Sequence, residues 1–139
     1  MRKTSELIPY RLINGRYSLF VQKRSVEVAE TPDTFGMFGG GIEDGESPEE
    51  ALFREIREEL DYQPRNVRFF RRYDFADYEL NIYLTEVDEH LETEITVLEG
   101  DYGRFMNETE LLAVTVSAMD RIVFEDVFRW LNGGRDDGS

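Results

Sequence analysis

Apolar positions along the chain recur with two different periods, and the change of period marks the expected elements. Residues 7–13 and 17–23 are short runs rich in aliphatic, β-branched and aromatic side chains, which predicts two strands. Asn14-Gly15 between them is a dipeptide that tolerates the left-handed conformations of a tight hairpin turn. Residues 67–73 and 78–86 carry the same strand signature, and a shorter strand is expected around residues 95–98. Between the second and third of these runs the period lengthens: Leu52, Ile56 and Leu60 recur every four residues, as on one face of a helix. A second helix is predicted over residues 119–131 through Ile122, Val123, Val127, Trp130 and Leu131, and residues 107–112 read as a short capped turn or helix. No repeat and no linker interrupts the series. One domain over residues 1–131, followed by a polar, glycine-containing tail at 132–139 that frays, is the expected organisation.

The start of the first helix can be read from its local chemistry. Ser47 is a good N-cap, Pro48 fits the first helical position where no N–H is required, and Glu50 falls where the partner of a capping box belongs. About 100° of rotation per residue then places Glu55, Glu58 and Glu59 on one face beside the apolar stripe. Like charges three and four residues apart destabilise an isolated helix by a few tenths of a kcal/mol per pair. A bound cation would offset that repulsion. Gly39, Gly40 and Gly41, read as a turn before the helix, let backbone approach a ligand closely. Hard carboxylate and carbonyl oxygens suit Mg²⁺ or Mn²⁺.

The run from Gly39 to Tyr62, GGGIEDGESPEEALFREIREELDY, resembles the Nudix box G-x5-E-x7-R-E-U-x-E-E-x-G-U, with U a bulky aliphatic residue. Gly40, Glu46, Arg54, Glu55, Ile56, Glu58 and Glu59 match it in register; Asp61 replaces a glycine, Tyr62 an aliphatic residue and Phe38 an upstream proline. The resemblance implies a single-domain α/β fold, a Nudix-type α/β/α sandwich with a mixed sheet. It also implies metal ligation by Glu55, Glu58, Glu59 and the carbonyl of Gly39, with Arg54 orienting a box glutamate and Glu46 supporting the loop. Glu43 and Asp44 are expected in a solvated turn. Outside the box, Glu99 precedes a glycine where a loop acid serves in many members, so Glu55 and Glu99, in that order, are the candidate bases. Arg24 occupies the place of a basic residue that meets substrate phosphate, and a surface strand end explains it about as well. Tyr73, Phe75, Tyr78 and Tyr83 are expected to be mostly core with one of them available to stack on a base. His90, the one histidine, is expected at the surface.

Charge narrows the partners. Thirty acidic against sixteen basic residues give a formal charge of −14, which repels long nucleic acids and anionic membranes at a distance. A small phosphorylated, nucleotide-type substrate stays compatible, because a metal and a few arginines reverse the field inside a pocket. With no cysteine, no membrane-length apolar run and no signal-like first residues, a cytoplasmic protein is expected; oligomeric state is left open, a homodimer included. The expected activity is metal-dependent hydrolysis of a nucleoside diphosphate linked to another moiety. The alternatives are a catalytically silent Nudix-fold nucleotide-binding or regulatory module, and an unrelated acidic protein whose glutamates merely face solvent.

Overall fold

A computed structural model describes residues 1–24, 34–96 and 102–133. In chain order these form β1 (Arg2–Ile13), β2 (Arg16–Lys23), β3 (Phe35–Gly36), β4 (Phe38–Gly41), α1 (Pro48–Leu60), β5 (Arg68–Phe75), β6 (Tyr78–Glu86), α2 (Leu91–Glu94), β7 (Tyr102–Asn107), α3 (Glu108–Leu112) and α4 (Ala118–Asn132). The strands make one seven-stranded mixed sheet in the order β3-β2-β1-β6-β5, with β4 also paired to β1 and β7 to β2. β1 and β6 run parallel, whereas the other pairings are antiparallel. The expected α/β/α sandwich with a mixed sheet is the fold observed.

β1 is the spine of the sheet, and Thr4 to Tyr10 are buried without interruption because both faces are covered. Leu7 joins Phe20, Phe38, Leu52, Ile56 and Leu60 on the α1 side. Its neighbour Ile8 joins Leu19, Val21, Val123, Phe124 and Val127 on the α4 side. Alternation along one strand thus feeds two cores. Pro9 is tolerated in so central a strand because it falls between the β4 partner of Leu7 and the β2 partner of Tyr10, where no ladder bond is needed on that side.

Three sequence expectations change. Glycines 39–41 lie in β4 and pair with Thr4, Ser5 and Glu6 of β1 instead of forming a turn; a Cβ at 39 would collide with the spine and one at 40 with Glu55 of α1, whereas 41 has room for one. Of the strand expected at residues 95–98, Ile95 and Thr96 are not in a strand. They follow the short α2, where Ile95 packs against the α1-side core and the Thr96 N–H bonds the Leu60 carbonyl, while 97 and 98 lie outside the described residues. β3, β4 and β7 were not foreseen; their apolar runs are too short to display a period.

Candidate active site

The acidic face of α1 is built from caps upward. The Ser47 hydroxyl accepts the Glu50 N–H at 3.1 Å, and the Glu50 carboxylate accepts the Ser47 N–H at 2.8 Å, so the expected capping box is complete. Leu52, Ile56 and Leu60 are fully buried, which fixes the rotation of α1 and turns its acidic face toward β4. Asp61 ends the helix in the left-handed region at φ 49°, ψ 48°, the conformation a glycine would supply there.

Arg54 organises the glutamates. Its Nε and Nη2 donate to the two carboxylate oxygens of Glu46 at 2.6 and 2.9 Å, Nη2 also donates to the Gly41 carbonyl at 2.9 Å, and Nη1 donates to Glu55 at 2.9 Å. The bond to Glu58 is the longest, at 3.4 Å, and Glu43 stands 3.7 Å away with an exposed side chain. Arg54 therefore holds the entry loop and Glu55 together, and is not merely a partner of Glu58 one turn on. Hydrogen bonding to Arg54, followed by that to the Glu43 N–H, keeps the Glu46 carboxyl below its ordinary range.

The three box glutamates occupy different environments. Glu59 is buried and accepts the Gly39 N–H at 2.8 Å; Glu58 is half exposed. Glu55 lies against Gly40 so closely that a Cβ there would stand 2.5 Å from its carboxyl carbon and one oxygen. Gly39, at φ +146°, is as restricted: a Cβ would collide with the Ser5 carbonyl and stand 2.7 Å from the Glu6 Cα. Glycine at 39 and 40 thus brings bare backbone up to two carboxylates, Glu59 through the Gly39 N–H and Glu55 against Gly40. Among the described residues no three acids converge closely enough to enclose a metal ion, since Arg54 draws Glu55 and Glu58 while Gly39 retains Glu59.

A second charged group stands on the α4 side of the same backbone; the sequence points to its Arg24 but not to Glu6 or Asp120. Glu6 of β1 is buried, accepts the Thr4 hydroxyl at 3.1 Å and has its pKa pushed up to about 8, first by burial and then by Asp120, with Arg24 opposing. Asp120, in the first turn of α4, is likewise raised by burial, opposed by Arg24 and the Ser117 hydroxyl. Arg24, half-buried just after β2, lies with these acids. Only the polar residues of β1 in an otherwise apolar neighbourhood could have signalled the group.

The remaining candidates are dispersed. Tyr73 donates to Asp126 at 2.7 Å and stacks on Phe75, with ring centroids 6.0 Å apart, both against the α4-side core; Tyr78 packs there too. Tyr83 is buried on the α1 side. His90 is exposed at the start of α2, and Glu99 lies outside the described residues. A groove of about 560 Å³ between α3 and α4, floored by Leu111, Phe124 and Phe128, contains none of the box residues.

A glycine strand thus lies against a helix of ordered carboxylates in a mixed α/β/α sandwich. The family model described as NUDIX domain matches residues 8–126, and the chain belongs to the Nudix family of hydrolases. It is 31% identical over 96 residues to the 8-oxo-dGTP diphosphatase of Escherichia coli (strain K12), covering 68% of this chain and 73% of that protein. In structure it resembles MutT from a study of Aliivibrio salmonicida and Vibrio cholerae, with TM-score 0.73, 20% identity and coverage of 91% of this chain and 96% of that one. It also resembles the NUDIX domain of Shewanella oneidensis NrtR complexed with ADP ribose, with TM-score 0.77, 12% identity and coverage of 93% and 87%. No helix among the described residues is long and apolar enough to cross a membrane.

Proposed function

We propose that this protein is a cytoplasmic, divalent-metal-dependent pyrophosphohydrolase that cleaves a nucleoside diphosphate linked to another moiety, with nucleoside triphosphates the first substrates to test. The observation that carries the reading is the Gly40 backbone pressed against the Glu55 carboxylate, with Arg54 fixing that carboxylate from behind. Glu55, Glu58, Glu59 and the carbonyl of Gly39 would hold Mg²⁺, or Mn²⁺ in its place. Such an ion, when bound, neutralises phosphate oxygens and lowers the pKa of an attacking water.

The chain's own part is proton transfer and orientation. Glu55 takes a proton from the water whose oxygen attacks phosphorus; the bridging P–O bond breaks and the bond electrons leave with the departing phosphate. Arg54 holds Glu55 in place, because a base displaced by an ångström loses much of its rate. Arg24 meets the substrate phosphates. Glu99 is the second candidate for the base.

A panel of nucleoside triphosphates, including 8-oxo-dGTP, together with nucleotide sugars, dinucleoside polyphosphates and ADP-ribose, assayed with Mg²⁺ for product identity, tests the reading. Hydrolysis at a phosphoanhydride is expected, with Glu58→Gln and Glu59→Gln each losing most of it while keeping a cooperative melt. Saturable binding across the panel without turnover would mean a silent nucleotide-binding module instead. Glu55→Gln should depress the rate even at saturating Mg²⁺; if Glu99→Gln does so in its place, the base moves to the loop.

A further inference from the structure

Behind the glycine strand, the Arg24 guanidinium lies flat across Gly36 of β3. A Cβ built on Gly36 would stand 3.0 Å from Arg24 Nη2, 3.1 Å from Nε and 3.1 Å from Asp120 Oδ2. The fork of the arginine and one oxygen of a buried carboxylate thus share the single patch left open by the missing side chain. Glu6 adds a second acid, beneath Gly39 of the box: a Cβ on Gly39 would stand 3.0 Å from the Glu6 Cγ, and the Gly39 N–H is the group that Glu59 accepts from the other face. The Arg24 backbone is pinned as well, its N–H donating to the Thr34 carbonyl at 2.8 Å. An arginine with a hydrogen-bonded backbone and a fork in the field of two buried acids is held nearer one orientation, whereas a solvated one would surrender more side-chain entropy on every binding event.

We propose that Asp120 is a positioning residue for the substrate, acting through Arg24, with Gly36 providing the seat and Glu6 linking that seat to the box strand. This rests on the reading that Arg24 meets the substrate phosphates. The Asp120 carboxylate attracts the guanidinium across the patch left open at Gly36, so substrate affinity is set in part from α4, an element that carries none of the box. Gly36 makes the arrangement separable from charge: its φ lies outside the left-handed region, so alanine there meets no backbone strain and acts by displacing the fork.

The test measures dGTP and 8-oxo-dGTP hydrolysis with Mg²⁺, and equilibrium binding of a non-hydrolysable deoxynucleoside triphosphate analogue. Arg24→Ala, Gly36→Ala and Asp120→Asn are each expected to raise KM and the analogue's Kd roughly tenfold, the scale of one charge-assisted hydrogen bond, with a much smaller change in kcat. Gly36→Ala should show this with a melt like that of the parent. In the Arg24→Ala background, Asp120→Asn should add less than twofold. Should Asp120→Asn weaken binding as much without Arg24 as with it, or should Gly36→Ala leave KM untouched while Arg24→Ala raises it, the positioning role is overturned. Arg24→Ala with unaltered KM and Kd instead removes the phosphate reading itself.

Discussion

At the scale of single residues, the site depends on atoms that are not there. A side chain at position 40 would enter the space that Glu55 occupies, and the carboxylate yields it only by giving up its bond to Arg54. Gly40→Ala is therefore expected to lower kcat by roughly a hundredfold or more, the scale of a misplaced catalytic group, while the melting temperature stays close to that of the parent. A steady-state assay beside a thermal melt checks it; full turnover would show that Glu55 does not work from this position. Asp61 gives the opposite expectation. It adopts the left-handed conformation at φ 49°, so Asp61→Gly should stabilise by about 0.5 kcal/mol in urea denaturation and barely move turnover. Loss of stability would mean that the Asp61 side chain contributes something beyond its backbone. The break in the box was legible as a cap because asparagine and aspartate tolerate this conformation better than other side chains.

At the scale of elements, what could be read was what lies close in sequence. The caps, apolar stripe and acidic face of α1 all follow from offsets of three and four residues, so their geometry was predictable. Ser47→Ala tests that local logic: it removes the acceptor for the Glu50 N–H and should cost about 1 kcal/mol of stability in urea, with kcat within a few-fold. A cost near zero would place the stability of this end in the tertiary bond from the Ser5 hydroxyl to the Pro48 carbonyl, at 2.6 Å. The strands were harder. Residues 2–6 extend β1 although Thr4, Ser5 and Glu6 look like an exposed polar start, because β6 on one side and β4 on the other bury them. β4 was hidden for a related reason. Three glycines lack strand propensity, and pairing with the spine overrides it. Asp120 and Glu6 could not be joined by eye, since 114 positions of chain separate them and only the sheet unites them.

For the whole molecule, buried charge sets the dependence of stability on pH. In Glu6 the folded-state pKa is raised from 4.5 to about 8, by burial first and by Asp120 second, with Arg24, Arg2 and the Thr4 hydroxyl opposing. Below pH 4.5 the group is protonated whether the chain is folded or not, so its contribution is fully present. Between pH 4.5 and about 8 the unfolded chain loses this proton while the folded one keeps it, and stability falls as pH rises; above about 8 the loss is complete. Asp120 is raised as well and acts in the same direction, whereas Glu46 is lowered and loses its contribution as pH falls through the acid range. The two trends oppose each other, and stability should peak in mildly acid solution. Glu6→Gln isolates the first. In metal-free buffer with chelator the variant should match the parent near pH 5 and exceed it near pH 9, by an amount on the order of a few kcal/mol, because an uncharged amide is spared the desolvation of a buried carboxylate. Urea denaturation across that range decides the matter. If parent and variant fall in parallel from pH 5 to 9, Glu6 releases its proton near its ordinary value in the folded protein, and the decline belongs to the rest of a chain of formal charge −14, whose self-repulsion grows as its acids ionise.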